Sequence, residues 1–457
     1  MTPAARLDAA IELLEELENA ARRPADAVAS DFFRARRFIG GSDRRTVSER
    51  VWAVLRGRRR LGWWLTHLST KVTPRTLIIA HLMVTERWQP TAVAQSFSGG
   101  RYAPYPLEPE EIVLVNALDT RTLDHPEMPQ AVRLEMPDWI APMMTERFGN
   151  ELIPELMAML EPATLDLRVN LIKATREQAR EALRAEDIEA TPTRLSPWGL
   201  RIIGRRNVTA GKAFQDGLVE IQDEGSQLIA AMVAAKPDMR VLDWCAGAGG
   251  KTLAMAMTMD NKGHIAACDT SESRLEGAVR RLRRAGVHNV ERHLIAPGDK
   301  WAKRRVASFD RVLVDAPCTG TGTWRRNPDA RLRLAETDLE ELLPKQAQIL
   351  DTAAKMLKPG GRLVYATCSL LPAENEGQVK AFLARHPDFS VVPLSRAWTF
   401  HGASPGGGPY LSLTPRRHET DGFFAAILER APAAKKEQRR GEPAPKKVAA
   451  ATEDAAG

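Results

Sequence analysis

Apolar residues recur at helical spacing over the first quarter of the chain. Leu7, Ile11, Leu14, Leu17 and Ala21 form one stripe between residues 4 and 23, which Pro24 closes. Val47, Val51, Val54 and Leu55 form a second, and the stretch from Leu77 to Trp88 a third. No strand pattern interrupts them before about residue 125, so residues 1–130 are predicted to be a small all-helical domain. The pattern is mixed over 131–220: helix at 140–160 and 176–185, strands at 167–172 and 198–203, together a small α+β module. Over 221–430 strands alternate with helices. Strands are predicted at 240–244, 264–268, 290–295, 311–314 and 362–366, with helices at 272–285 and 339–357 among them. Such alternation predicts an α/β domain: a mostly parallel sheet with helices on both faces. Phe389–Val392 and Gly422–Leu428 read as a hairpin at the sheet edge. Residues 431–457 carry almost no large apolar side chain and read as a disordered basic tail.

Composition narrows the function classes. Of 457 residues, 44% are hydrophobic and 27% charged, a globular balance that excludes wholesale disorder and fibrous chains. No uncharged apolar run approaches the roughly 20 residues that span a bilayer, so no membrane partner is expected. Glu12, Glu15, Glu16 and Glu18 interrupt what would be the apolar part of a signal peptide. Four cysteines without a CxxC pair fit a reducing cytoplasm and give no support to a metal site. The net charge of +7 is local. Twelve arginines between Arg22 and Arg60 face four carboxylates, an excess of eight, so the rest of the chain nets −1. Phe32, Phe33, Trp52, Trp63 and Trp64 lie among or just after them. That concentration suggests a surface for a polyanion; the plainer reading is a solvated helix face.

The segment Val241 to Thr252 is an apolar strand, a glycine-rich turn and a helix start, a place where backbone approaches a ligand closely. A triphosphate loop of the GxxxxGKT kind needs Gly where Cys245 stands. A dinucleotide loop starting at Gly247 needs Gly or Ala where Thr252 stands. The looser loop of S-adenosylmethionine sites remains, and it pairs with an acidic residue ending the next strand. Asp269 occupies that place.

Cys245, Cys268, Cys318 and Cys368 each fall at or just past the carboxyl end of a predicted parallel strand, the edge where open α/β sheets bind ligands. Cys is also a common core residue, and Cys268 keeps that reading. Cys245 does too, though its backbone is free to serve the cofactor loop. Asp315-Ala316-Pro317-Cys318 puts a carboxylate and a thiol on one turn, and Thr367-Cys368-Ser369 ends a strand expected to lie beside it. Cytosine C5 is a poor nucleophile until a thiolate adds at C6, and an acid near N3 supports that addition. Two thiols, a carboxylate and a methyl donor therefore form a coherent set for cytosine C5 methylation.

These motifs, with Ile221 to Gln227 and Asp421 to Phe424, resemble those of the Sun-type (Nol/Nop/Sun) RNA cytosine-5 methyltransferases. The N-terminal region resembles the NusB-like RNA-binding domain of the small-subunit rRNA members. The resemblance covers about residues 1–430, most strongly 221–428. It implies a Rossmann-like class I methyltransferase domain, S-adenosylmethionine as cofactor, and RNA as partner, rRNA or tRNA, with no obligate protein partner. It places the methionine part of the cofactor on Cys245, Ala246, Gly247, Ala248, Gly249, Gly250 and Lys251, the ribose on Asp269, and the adenine by Asp299. Asp315 would lie near both cofactor and base. The resemblance makes Cys368 the nucleophile and Cys318 the residue that assists release. Pro317-Cys318 also matches the Pro-Cys nucleophile of DNA cytosine-5 enzymes, and the second cysteine, in Thr367-Cys368-Ser369, favours the RNA reading. The family loop reads CAAPGGKT; Gly247-Ala248 here replace Ala-Pro and loosen the turn without removing a side-chain ligand. A non-catalytic RNA-binding or assembly factor is the competing class, disfavoured by two thiols beside a cofactor loop.

Overall fold

The computed structural model describes residues 1–20, 23–204, 206–400 and 402–433, so the expected tail lies, from residue 434 onward, outside the described residues. The N-terminal part is helical: Pro3–Asn19, Ala25–Ala35, Gly41–Arg56, Arg58–His67, Pro74–Val84, Pro90–Ser96 and Pro109–Leu118. Local chemistry sets several starts. Thr2 caps the first helix by accepting from the Ala5 amide, and Thr73 and Thr76 form a reciprocal capping box ahead of Pro74. The stripes meet in one core that holds Leu7, Leu14, Val47, Val51, Ile78 and Leu82. Pro74–Val84 is buried from Thr76 to its end, which accounts for its unbroken apolar run.

The arginine cluster does not form the open basic face that its charge suggested. Arg50 is held by Glu86, Arg36 by Glu12 and Glu16, Arg58 by Glu18, and Arg59 by Asp138. Arg60 is buried, with its guanidinium on Glu135 (3.1 Å) and Asp124 (3.0 Å). Glu135 also accepts the Arg59 and Arg60 amides, so it receives the N-terminus of that helix as well as a side chain. Arg58–Arg60 thus join helices to the segment after them. Arg37 and Arg45 are exposed and make no ion pair among the described residues.

Residues 140–160 were expected as one helix but form two, Ala141–Phe148 and Leu152–Ala158, broken at Gly149, whose φ is +51°. An antiparallel four-stranded sheet follows. It comprises β1 (Asp166–Val169), β2 (Ala190–Pro192), β3 (Gly199–Ile202) and β4 (Val219–Ile221) in the order β2-β3-β1-β4. Three residues each, β2 and β4 are too short to show alternation, and neither was anticipated.

The large sheet contains β5 (Arg240–Trp244), β6 (His264–Asp269), β7 (Val290–Leu294), β8 (Phe309–Asp315), β9 (Leu357–Thr367), β10 (Phe389–Val391), β11 (Leu411–Leu413) and β12 (Phe423–Arg430). Its order is β10-β12-β9-β8-β5-β6-β7, with β11 also on β12. Strands β9, β8, β5, β6 and β7 are mutually parallel; β12 is antiparallel to β9 and to β10. The expected antiparallel pair stands at the sheet edge, with β10 outermost against β12; what was not expected is β11, which lies between them in sequence and also pairs with β12. The eight residues of β12 read apolar from Phe423 to Leu428 because it is an interior strand. Helices cover both faces, over two cores centred on Val241 and Leu313 and on Leu242 and Val312. The chain runs β5, β6, β7 outward, then returns to place β8 on the other side of β5. That reversal makes a crevice at the carboxyl ends of β5 and β8. Among the described residues no helix is long and apolar enough to cross a membrane.

Candidate active site

The crevice is a cleft of about 920 Å³. Cys245, Ala246, Gly247, Ala248, Gly250, Lys251, Asp269, Asp299, Asp315, Cys318 and Cys368 all line it. Gly249 does not. It takes φ +78° as the cap of the helix Gly250–Thr258, and a Cβ there would come within 3.2 Å of the Ala278 Cβ. Cys268 is buried inside β6, and burial pushes its thiol pKa up.

Each side chain is placed by a strand end. Cys245 turns the chain sharply after β5, with φ +86°, and its amide and that of Ala246 both donate to the Cys268 carbonyl. This brings the Gly247 amide to Asp269 Oδ2 at 2.8 Å, while Ser271 donates to Oδ1 at 2.8 Å. Asp299 accepts from the Trp301 amide, and its other oxygen faces His293 Nε2. Trp301 is buried, stacked between His293 and Phe309.

Asp315 ends β8 and meets Lys251 Nζ at 2.7 Å. Burial pulls the Lys251 ammonium down, but Asp315 outweighs it and holds the pKa above its ordinary value. Beneath them Asp243 is wholly buried. Its Oδ2 accepts from Thr252 Oγ1 at 2.6 Å and its Oδ1 has no partner. Burial pushes its carboxyl up to about 7, against the Thr252 bond.

The turns after β8 and β9 bring the two remaining thiols together. Cys318 Sγ lies 3.4 Å from Cys368 Sγ. The bond to Cys368, then burial, raises the Cys318 pKa well above the ordinary thiol value. Gly322 and Gly422 make this close assembly sterically possible: their backbones hydrogen-bond at 2.8 Å, and a Cβ on Gly322 would fall 2.2 Å from the Gly422 carbonyl oxygen.

The cleft has walls that the motif reading did not assign. Ile221, the last residue of β4, and Gln222 and Asp223 after it close one side, so the small sheet is part of the site. Arg168 on β1 is buried and donates to the Gly250 carbonyl at 2.8 Å, and Arg281 donates to the Ala248 carbonyl at 2.7 Å. Both brace the glycine loop. Asp243 was not assigned from the sequence, although an acid inside the apolar strand ahead of that loop is a local signal; Trp301 and Arg168 carry none. Among the described residues no group of His, Cys, Asp and Glu is arranged to hold a metal.

The sequence model of the 16S rRNA methyltransferase RsmB/F family matches residues 230–429, and that of a ferredoxin-like domain of RsmF/B-like methyltransferases matches 136–209. The ribosomal RNA small subunit methyltransferase B of Pectobacterium atrosepticum is 30% identical over 408 residues, 86% of this chain and 92% of that protein. The chain belongs to the RsmB/F family of rRNA methyltransferases. The like-named protein of Xylella fastidiosa strain Temecula1 is 36% identical over 296 residues, 64% of this chain and 66% of its own. Among solved structures, PH0851 superposes with a TM-score of 0.76 at 25% identity, covering 94% of this chain and 99% of that one. The cofactor of this RsmB/F-type enzyme is S-adenosylmethionine, and the cleft fits it. Asp269 offers carboxylate oxygens suited to a ribose diol. Ile295 and Trp301 offer an apolar wall for a base. The unpartnered Asp243 Oδ1 is matched to an ammonium.

Proposed function

We propose that this RsmB/F-type enzyme methylates C5 of a cytosine in RNA, small-subunit rRNA foremost, through a covalent bond between Cys368 and C6. The supporting observation is the pair of thiols 3.4 Å apart in the same cleft as Asp315. When bound, the cofactor supplies an electrophilic methyl group. Cys368 Sγ adds to C6 as the thiolate, and Asp315 serves N3 with a proton or hydrogen bond, so electron density collects at C5. After C5 carries the methyl, water takes the C5 proton, the electron pair of that C–H bond closes the C5–C6 double bond as the C6–S bond breaks, Cys368 departs as thiolate, and N3 returns its proton to Asp315. Cys318 acts in this release. The residues of the glycine loop, with Asp269 and Asp299, hold the cofactor. Lys251 positions Asp315, and once the Asp315 proton has passed to N3 its ammonium compensates the carboxylate left behind.

The base must leave its stack to reach the cleft, which suits a single-stranded or flipped nucleotide. A groove between the helical part and the sheets supports RNA binding. It runs from Arg45 and Arg206, past Phe33 and Ser48, to Trp52 and Arg326. Arg326 touches Asp223 at 3.3 Å, and Asp223 lines the cleft.

The two cysteines should fail differently. Cys368→Ala should abolish both methyl transfer and covalent attachment. Cys318→Ala should form the adduct and release it slowly, leaving protein on RNA through a denaturing gel. A trap with Cys368→Ala instead would reverse the roles; activity retained in both variants would exclude covalent catalysis by either. Bisulfite sequencing of rRNA and tRNA from a strain lacking the gene names the substrate, and loss of a tRNA site alone would overturn the rRNA assignment.

A further inference from the structure

We propose that Glu374 is the positioning residue for the thiol pair: its buried carboxylate ties together the turns that carry Cys318 and Cys368 and sets the distance between their sulfurs. The inference builds on the reading of these cysteines as a working pair, but its test does not depend on RNA.

Glu374 is fully buried and has no basic partner among the described residues. Four donors satisfy its carboxylate instead. Oε1 accepts from the Thr319 amide and from Gln346 Nε2, each at 2.9 Å. Oε2 accepts from the hydroxyls of Thr319 and Ser369. Thr319 is the residue after Cys318, and Ser369 the residue after Cys368. The same Gln346 nitrogen donates to the carbonyl of Pro317, the residue before Cys318, at 2.9 Å. Tyr365 Oη anchors the Glu374 carbonyl at 2.7 Å, and Asn375 holds the Ser369 carbonyl at 2.9 Å and faces the Thr367 hydroxyl. Each cysteine is therefore gripped through its neighbours, and the two grips meet on one carboxylate. Hydrogen bonds to an ionised acceptor are the strong ones, so a charged residue here tightens the link more than an amide does. The charge has a second consequence. It faces Cys318 and adds to what holds that thiol protonated, behind the bond to Cys368 and burial.

Two variants separate tie from charge. In Glu374→Gln the amide oxygen accepts from Thr319 and Gln346, and the amide nitrogen donates to the two hydroxyl oxygens, which accept as readily as they donate. The tie survives without the charge. Glu374→Ala removes both. Distance is read on the full chain by diamide, which takes one hydrogen from each thiol as the Cys318–Cys368 S–S bond forms; mass spectrometry detects the loss. Wild type and Glu374→Gln should couple readily, with the pH midpoint of coupling lower in Glu374→Gln. Glu374→Ala should couple at least about tenfold more slowly, since access and geometry set thiol rates. Methyl transfer should follow the same order. If Glu374→Ala does not fold, Thr319→Val with Ser369→Ala removes the Oε2 bonds and spares those to Oε1, losing besides them the bonds of the Ser369 hydroxyl to the Leu371 amide and the Thr321 hydroxyl, and should slow coupling too. Unchanged coupling in folded Glu374→Ala, or in the double variant, would overturn the proposal. Slowed coupling in Glu374→Ala with no RNA adduct from any cysteine variant would keep it and sink the covalent mechanism instead.

Discussion

The helical N-terminal part and the carboxyl edge of the large sheet both gather charge, and they use it in opposite ways. In the helical part charges pair off. Arg60 faces Glu135, Arg50 faces Glu86 and Arg75 faces Glu111, and the result is packing. At the sheet edge some carboxylates stand without an opposite charge bonded to them. Asp243 keeps one oxygen unbonded, and Glu374 has neutral donors only. Density of charge along the chain thus marked architecture, whereas carboxylates without a bonded opposite charge marked chemistry. Function resides where the fold tolerates groups held against their preferences.

That contrast breaks most sharply at Asp315. Asp315→Asn keeps the shape of the carboxylate but not its proton chemistry, so single-turnover methyl transfer should fall by about 10²–10⁴-fold with a cooperative melt retained. Equal rates would move the chemistry elsewhere. The matching cut in the helical part is Glu135→Ala, which removes the buried partner of Arg60, leaves it only the exposed Asp124, and strips the Arg59 and Arg60 amides of their acceptor. Urea unfolding should show a loss of about 3–5 kcal/mol. A loss near zero would mean that this pair is as idle as a surface one.

Asp269→Ala should weaken S-adenosylmethionine binding by roughly 1.5–3 kcal/mol in calorimetry, the worth of a hydrogen bond to a charged group. Unchanged affinity would remove Asp269 from the site. The Asp243 carboxyl, raised by burial from 3.8 to about 7, ties stability to pH. Between about pH 4 and 7 the folded chain keeps a proton that the unfolded chain has released. Its contribution to stability is full below that window, falls as pH rises through it, and is flat above. Asp243→Asn should remove this slope, up to about 1.4 kcal/mol per pH unit, from a series of denaturation curves. A wild-type profile without the slope would place the proton elsewhere.

The smallest effect sharpens the comparison within the arginines themselves. Arg58→Ser should cost no more than about 1 kcal/mol and leave the salt dependence of RNA binding unchanged, because Arg58 already pairs with Glu18. Arg45→Ser and Arg206→Ser should each flatten the slope of log affinity against log salt by about 0.7–0.9. A flatter slope with Arg58→Ser alone would restore the basic-face reading.

Strands β5, β6, β8 and β9 were legible because strands buried on both faces read as apolar runs bounded by turns; β7, an exposed edge strand reading Val-Glu-Arg-His-Leu, was legible only through the alternation of strands and helices around it. The helix Glu272–Ala285 was legible through its period and its closing Gly286. Four cysteines at strand ends could be seen for the same reason: a strand's end is a local event. What stayed hidden was pairing. β2, β4 and β11 are too short to show a period. Arg168 looks like any arginine between apolar neighbours, and only the packing of β1 against the glycine loop makes it a brace.

Alternation of strands and helices, the glycine loop, and the Asp315, Cys318 and Cys368 motifs were set by the sequence itself, since each depends on neighbours within a few residues. The tertiary structure alone decided three things. It placed the sulfurs of residues 318 and 368 at 3.4 Å. It gave Glu374 the task of tying their turns. It also spent most of the arginines on carboxylates far away in sequence, such as Arg60 on Glu135 and Arg50 on Glu86. The reason is common to all three: hydrogen bonds and ion pairs act over a few ångströms, and separation along the chain says nothing of distance until the core has folded.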